Sequence, residues 1–449
     1  MVKILILSAF PPERTAIDAL FPGAERVLDT SSTPKNVLKA EYHDMTIYLS
    51  YTGLGSSLSA CNTAVLCERL QPDLVIFCGV AGGVCPDTQK HGDIIAVTGA
   101  HHKDFDHLPQ VFTEGSAYHG CLFDPHTGER NSYHFAVEPA LLDCLKTIYP
   151  ENSFGAIATS NAFPTPPGKY PEVLETCVAI EMEGAAVMEA ATCPVIILRS
   201  LSNLLDKEGK NLGEPEGIIA LCAHNLAQAL QSLLASPALK PAIEKAHITF
   251  LKNKLRLTPH QEDGCFNRIY EAKEQVSATH NATQYTLSNQ TAIHYLLEKG
   301  DFSIWHRLAV SSETWQVIQG DHVNVHILNP ETRALTSIQI GSDAQKNYTV
   351  PAGHWFCAEP AAGAAGFSLC TCTVTPGFSY ELFELAQIDQ LCKDFSAHVT
   401  FIQKFTRSPG HTVVASTTES KSEEESFSKK SSGLTRKCFC MSRAHPYGF

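Results

Sequence analysis

Two carboxylates one residue apart, Glu181 and Glu183, close the apolar run Val178-Ala179-Ile180 and open the small-residue stretch Gly184-Ala185-Ala186. If that run is a buried strand, its period of two puts Glu181 and Glu183 on one side and Met182 on the other. Two acids on one side suit a polyhydroxylated ligand. Beyond them, Leu198-Arg199-Ser200-Leu201-Ser202-Asn203 reads as the end of a buried strand with polar residues at its carboxyl end, where open α/β sheets place ligands. Three earlier stretches have the same form. Ser8-Ala9-Phe10-Pro11-Pro12-Glu13-Arg14 puts the Glu13 carboxylate at a helix start, which the helix dipole alone would explain. Gly79-Val80-Ala81-Gly82-Gly83 reads as a turn whose glycines let backbone amides approach a sugar or anion. Thr159-Ser160-Asn161-Ala162-Phe163-Pro164 offers an aromatic face and exposed backbone groups.

The elements that must position these residues divide the chain in two. Up to Ser236, short apolar runs (Val2 to Leu7, Leu74 to Cys78, Ile94 to Val97, Ala156 to Ala158, Val178 to Ile180, Val195 to Leu198) alternate with stretches of helical spacing (Pro12 to Leu20, Leu58 to Leu70, Glu214 to Leu234). That alternation predicts an α/β domain with strands covered on both faces. Pro237 marks a boundary, and residues 237–247 read as a linker. From about Leu251, short β-branched and aromatic runs broken by turn signals predict an all-β sandwich or barrel. Residues 403–449, rich in Ser, Thr, Lys and Glu, cannot bury enough apolar area to fold alone and are expected to be disordered.

Composition narrows the function classes. The chain has 449 residues, 44% of them hydrophobic and 18% charged, with a net charge of −13, which describes a soluble cytoplasmic protein and not a nucleic-acid binder with its basic stripe. No run approaches the roughly 20 apolar residues that a membrane span needs. The 16 cysteines are scattered through apolar segments and read as reduced small hydrophobes. Cys370/Cys372 and Cys438/Cys440 lack the second pair that zinc would need.

Taken together and in order, the N-terminal segments resemble the nucleoside phosphorylase and nucleosidase superfamily. The nearest branch is the hydrolases, 5′-methylthioadenosine/S-adenosylhomocysteine nucleosidase and futalosine hydrolase. Thr52-Gly53-Leu54-Gly55 and His91-Gly92-Asp93-Ile94-Ile95 complete the set, which spans residues 1–236. The resemblance implies a three-layer α/β sandwich around a mixed sheet, a purine nucleoside as substrate, a homodimer, and no metal or organic cofactor. It makes Glu13 the water-activating acid, Glu183 the acid that binds the ribose hydroxyls, and Asn203 the donor to the leaving base. Met182 would lie under the sugar and Phe163 beside the base, with Gly79, Val80 and Glu181 completing the substrate site. Asn203 stands where adenine-specific members carry Asp, so the resemblance points to a 6-oxopurine such as that of futalosine. Thr52-Gly53-Leu54-Gly55-Ser56-Ser57 has no arginine beside it, which favours hydrolysis over phosphorolysis. A non-catalytic nucleoside sensor is the remaining alternative, since a fold alone does not make an enzyme.

Residues 248–402 resemble a cupin (RmlC-like) family of unassigned function, through Gly300-Asp301-Phe302-Ser303-Ile304-Trp305-His306, Glu313, Gly320 and Pro351-Ala352-Gly353-His354. Cupins hold a metal with several His and one Glu, but Leu308 and Phe356 stand at two of the His places. The resemblance implies a jelly roll with a small-molecule pocket lined by Glu262, Arg268, His306, Glu313, Trp315 and His354, or a dimerisation module.

Overall fold

In the computed structural model the described residues are 2–28, 37–102, 121–123, 130–132, 134–161, 176–206, 210–363 and 365–406. The N-terminal half is built on a mixed sheet. Its strands run, from one edge, Cys177–Glu181, Phe154–Thr159, Ile94–His102, Val195–Leu204, Leu74–Gly83, Val2–Ser8, Met45–Tyr51, Val37–Tyr42 and Glu25–Leu28. The central strands are continuously apolar because both faces are covered. In Val2–Ser8, Ile4 and Ile6 enter one core with the helices Ile218–Leu234 and Leu239–Lys254, while Leu5 and Leu7 enter the other with Ser56–Leu70. The result is an α/β sandwich of three layers.

Two features of the sheet differ from the sequence reading. The segment Gly79 to Gly83 is strand and not turn, paired in parallel with Arg199 to Leu204. Its glycines serve packing: a Cβ on Gly79 would lie 2.6 Å from Arg199 Nη1 and 2.8 Å from Glu13 Oε1. The strand Cys177–Glu181 also pairs antiparallel with Gly82 and Gly83, which curls that end of the sheet and brings Glu181 to Glu183 over the strand carrying Asn203.

Residues 237–247, read as a linker, fall largely within the helix Leu239–Lys254. Pro241 is tolerated in its first turn, where amides have no intrahelical partner. Leu239, Ile243 and Ala246 pack in the N-terminal core, and Ile248 and Leu251 pack on Leu296, Phe367 and Leu369 of the second domain. That domain is a sandwich of six- and five-stranded antiparallel sheets, a jelly roll whose core includes Tyr295, Trp315, Val325 and Phe356. The segment expected to be disordered from residue 403 is ordered at its start, where Gln403 and Lys404 end the helix Val399–Lys404 and Phe405 packs in a core with Trp305 and Ile402; residues 407–449 lie outside the described residues. Among the described residues no single helix is long and apolar enough to cross a membrane.

Candidate active site

At the carboxyl ends of the central strands an open cavity is lined by Phe10, Glu13, Val80, Met182, Glu183 and Asn203, together with Ala9, Leu54, Ala81, Gly82, Ile180, Glu181 and Ser202. Of the residues expected at a substrate site, Gly79 stands behind this lining and Phe163 lies outside the described residues.

Glu13 is placed by helix geometry. It sits in the first turn of Pro11–Asp18, and its carboxylate folds back to accept from the amides of Ala9 at 2.8 Å and Phe10 at 3.4 Å. Its other oxygen accepts from the Val80 amide at 2.8 Å, so the strand Leu74–Gly83 fixes the far side of the group. Burial pushes its pKa up, against the pull of Arg199 and of these three amides. A carboxylate has about four lone-pair sites, and three are used; the fourth remains for a water molecule.

The acids at 181 and 183 do different work. Glu181 lines the cavity, but one of its oxygens takes the Arg199 guanidinium and the amides of Glu183 and Gly184 at 3.0 and 2.7 Å, and the other takes the Thr159 hydroxyl. It closes the N-terminus of the helix Gly184–Ala190, where amides have no intrahelical partner, and is spent on structure. Glu183 accepts from the Gly55 amide at 2.8 Å and has capacity left for ligand hydroxyls. Its pKa is pushed up to about 7 by burial and by Glu181, with Arg199 and the Gly55 amide pulling the other way.

Arg199 is the residue that the sequence reading left without a role. It is 1% exposed, stacks 4.0 Å from the Phe77 ring, and faces three carboxylates as a single cation. The signal was present in the sequence: an arginine ending the apolar run Val195 to Leu198 must have a buried partner. One cation against Glu13, Glu181 and Glu183 leaves this end of the cavity negative once the acids ionise, an environment that favours positive charge developing in a ligand.

At the other end Asn203 is 1% exposed. The Ser202 hydroxyl donates to its Oδ1 at 3.2 Å, while Nδ2 is buried with no partner in the protein. A buried amide donor left unpaired is costly, so Asn203 is arranged to meet an acceptor on a ligand.

The second domain has its own small cavity, lined among others by His260, Glu262, Arg268, His306, Glu313 and Cys372. Two expected members are absent. Trp315 is fully buried in the core next to Tyr295, and His354 stands off the cavity with Nδ1 3.3 Å from its neighbour Ala352 O. His260, two residues before Glu262 in the same segment, and the ring of Phe383 were not expected in the pocket but line it. Among the described residues no three His, Cys, Asp or Glu side chains converge as a metal site requires. With Leu308 and Phe356 at two of the cupin His places, the donor set does not fit a cupin metal.

Residues 3–235 match the Phosphorylase superfamily and residues 250–386 the Cupin superfamily (DUF985). The 5′-methylthioadenosine/S-adenosylhomocysteine nucleosidase of Bacillus pumilus is 29% identical over 223 residues, covering 46% of this chain and 88% of its own length. That of Hydrogenovibrio crunogenus is 32% identical over 173 residues, covering 36% and 69%. The crystal structure of a Shewanella oneidensis protein is 29% identical and covers 35% of this chain and 95% of its own, with a TM-score of 0.31.

Proposed function

Because the chain belongs to the phosphorylase superfamily, we propose that its N-terminal domain hydrolyses the N-ribosyl bond of purine nucleosides, the activity for which its relatives are named. The observation that carries this reading is that Glu13, Glu183 and the unpaired Nδ2 of Asn203 border one cavity. Glu183 accepts from the ribose hydroxyls. As the bond between ribose and base lengthens, positive charge grows on the sugar and negative charge on the base. The carboxylates stabilise the first, and Asn203 donates to the second. Glu13 takes a proton from the water that attacks the sugar.

We take the base to be a 6-oxopurine, with futalosine as the example, because an amide donor serves both N7 and a 6-oxo group. Methylthioadenosine and S-adenosylhomocysteine are the alternative, supported by the names of the relatives. Phosphorolysis is disfavoured, since the described residues lining the cavity include no Arg or Lys to hold phosphate. Leu54, 57% exposed, gives the cavity an apolar edge that a second copy would cover.

The test is release of free base from futalosine, methylthioadenosine, S-adenosylhomocysteine, inosine and adenosine, each with and without phosphate. Phosphate-independent release from at least one is expected. Release that requires phosphate would transfer the assignment to a phosphorylase, and no release from any would transfer it to a sensor.

A further inference from the structure

The polar lining of the second cavity has no part in the reaction above. Glu262, His306 and Glu313 are each at most 6% exposed inside a β sandwich, where ionisable groups are kept at a cost in free energy and tend to mark function. Glu262 is set by a tight turn in which Asp263 and Gly264 take φ of +83° and +71°. Its Oε2 lies 2.7 Å from His306 Nδ1, which is also 2.8 Å from Ile304 O. With two acceptors before it, Nδ1 carries a proton, and Nε2 is the ring nitrogen open to a ligand. Burial opposes the charge on His306, but Glu262 overcomes it and raises the pKa.

Glu313 reaches the same cavity from the other sheet: it lies on Ser312–Gly320, whereas His306 lies on Ser303–Leu308. Burial and the Glu262 charge push its pKa up to about 7, with His306 pulling it down. A carboxylate poised near neutrality therefore shares a chamber with an imidazole whose charged form Glu262 favours. The remaining walls include the rings of Phe266, Phe378, Tyr380 and Phe383. The one arginine of the lining, Arg268, is exposed and paired with Glu271 at 2.9 Å, and His306 already faces Glu262, so no unpaired cation is kept there for a phosphate or carboxylate. The ligand that fits is small, uncharged and partly apolar.

We propose that Glu313 and His306 form a second active site that interconverts a small, uncharged aldose and the corresponding ketose. Glu313 takes the proton from the carbon beside the aldehyde, and the electron pair of that C–H bond becomes the new C=C bond. The carbonyl π pair takes the proton of His306 Nε2, giving a neutral enediol. Glu313 then returns its proton to the former aldehyde carbon, while the neighbouring hydroxyl gives its own to His306 and becomes the ketone. Atoms and charge balance without an oxidant or reductant. Hydrolysis in the first domain would release an aldose with a modified 5 position, which suits the aromatic wall. That choice of substrate class rests on the proposed function; the proton-transfer pair rests on the second domain alone.

The test uses the full chain in D₂O with ribose and 5-methylthioribose as the added aldoses, and proton NMR to follow loss of the C2 proton signal and growth of ketose. Exchange is expected with at least one aldose, in the parent chain and in Glu13→Gln alike. It should fall by about 100-fold or more in Glu313→Gln and in His306→Gln, with base release by the first domain unchanged in both. The three tryptophans, Trp305, Trp315 and Trp355, all lie in this domain, so an unchanged emission spectrum shows that a variant has folded. Absence of exchange with both aldoses overturns the proposal, as does exchange that survives both substitutions. Because the aldose is supplied directly, a first domain that hydrolyses nothing leaves this experiment intact.

Discussion

Arg199 donates to Glu181, and both side chains are 1% exposed. Glu13 and Glu183 sense the same guanidinium only through space. The pair thus neutralises the one acid whose oxygens are occupied by the fold and leaves the two acids with spare capacity under partial attraction. Arg199→Met would strand a buried carboxylate that still holds the amides of Glu183 and Gly184. Removing one partner of a buried pair costs about 3–5 kcal/mol, and urea unfolding should show a loss of that size. A loss under 1 kcal/mol would mean that the pair is not the support of this wall.

Glu13→Gln tests the base. Loss of a positioned general base lowers turnover by about 10²–10⁴, so base release should drop by at least two orders of magnitude while binding of free base is retained. The amide also alters the fold locally. Ala9 and Phe10 donate to one carboxylate oxygen and Val80 to the other; a glutamine can accept on one side alone, which leaves a buried amide unpaired at about 1–3 kcal/mol. Unfolding measured beside turnover separates the two effects, and near-parental turnover in a folded variant would remove Glu13 from the mechanism.

Glu183 gives stability a pH dependence of definite sign. An unfolded chain releases this proton near the ordinary carboxyl value of 4.5, whereas the folded chain holds it to about 7. Between those values the native state carries the extra proton, so stability from this group falls as pH rises through the window. The span corresponds to about 3 kcal/mol. Glu183→Gln keeps an acceptor for the Gly55 amide and has no proton to lose. It should be more stable than the parent at pH 8 by up to about that amount, with the difference vanishing below pH 4.5. Activity runs the other way: the ionised form accepts from ribose, so kcat/KM of the parent should rise with pH through about 7. Equal stability of parent and variant at pH 8 would show that Glu183 is not held protonated.

Periodicity reached most of the frame because the central strands are buried on both faces and the jelly-roll strands alternate. It stopped short where residues serve something distant. Gly79 to Gly83 read as a turn because three of the five residues are glycines, which disfavour strands; the segment is strand because it pairs with Arg199 to Leu204, and the glycine at 79 makes room for Arg199 and Glu13. Glu181 and Glu183 share a side in a simple strand, yet the strand ends at Glu181 and Glu183 begins a helix, so one became a helix cap and the other remained a ligand group. The strands Glu25–Leu28 and Val37–Tyr42 went unread for want of an apolar run, since the second is completed by pairing with Met45–Tyr51 and the first by pairing with the second. In the second domain the motif found Glu262, His306 and Glu313, but which side chains close a cavity depends on strand register, and His354 and Trp315 fall on the wrong side of it.

Asn203 carries the choice of base. Its Oδ1 spends one lone pair on Ser202, and its Nδ2 is buried unpaired, so two N–H donors and one acceptor site of the amide are left over. A 6-oxopurine presents acceptors at both N7 and O6, which one amide can serve. Adenine presents an acceptor at N7 but a donor at its 6-amino group, which only the remaining lone pair of Oδ1 can take, leaving one Nδ2 proton without an acceptor. In Asn203→Asp the Ser202 hydroxyl still has an oxygen to bind, and the second oxygen can accept from the 6-amino group or, when protonated, donate to N7. A site built to hydrogen-bond one partner discriminates strongly against its mismatch. The ratio of kcat/KM for adenosine-type over inosine-type substrates should therefore rise by about tenfold or more in Asn203→Asp. Measured on the same 5′ substituent, the ratio isolates the base from the sugar pocket. A ratio that does not move would place base recognition elsewhere, with Phe10 and the backbone of Ala81 and Gly82 as the groups left to supply it.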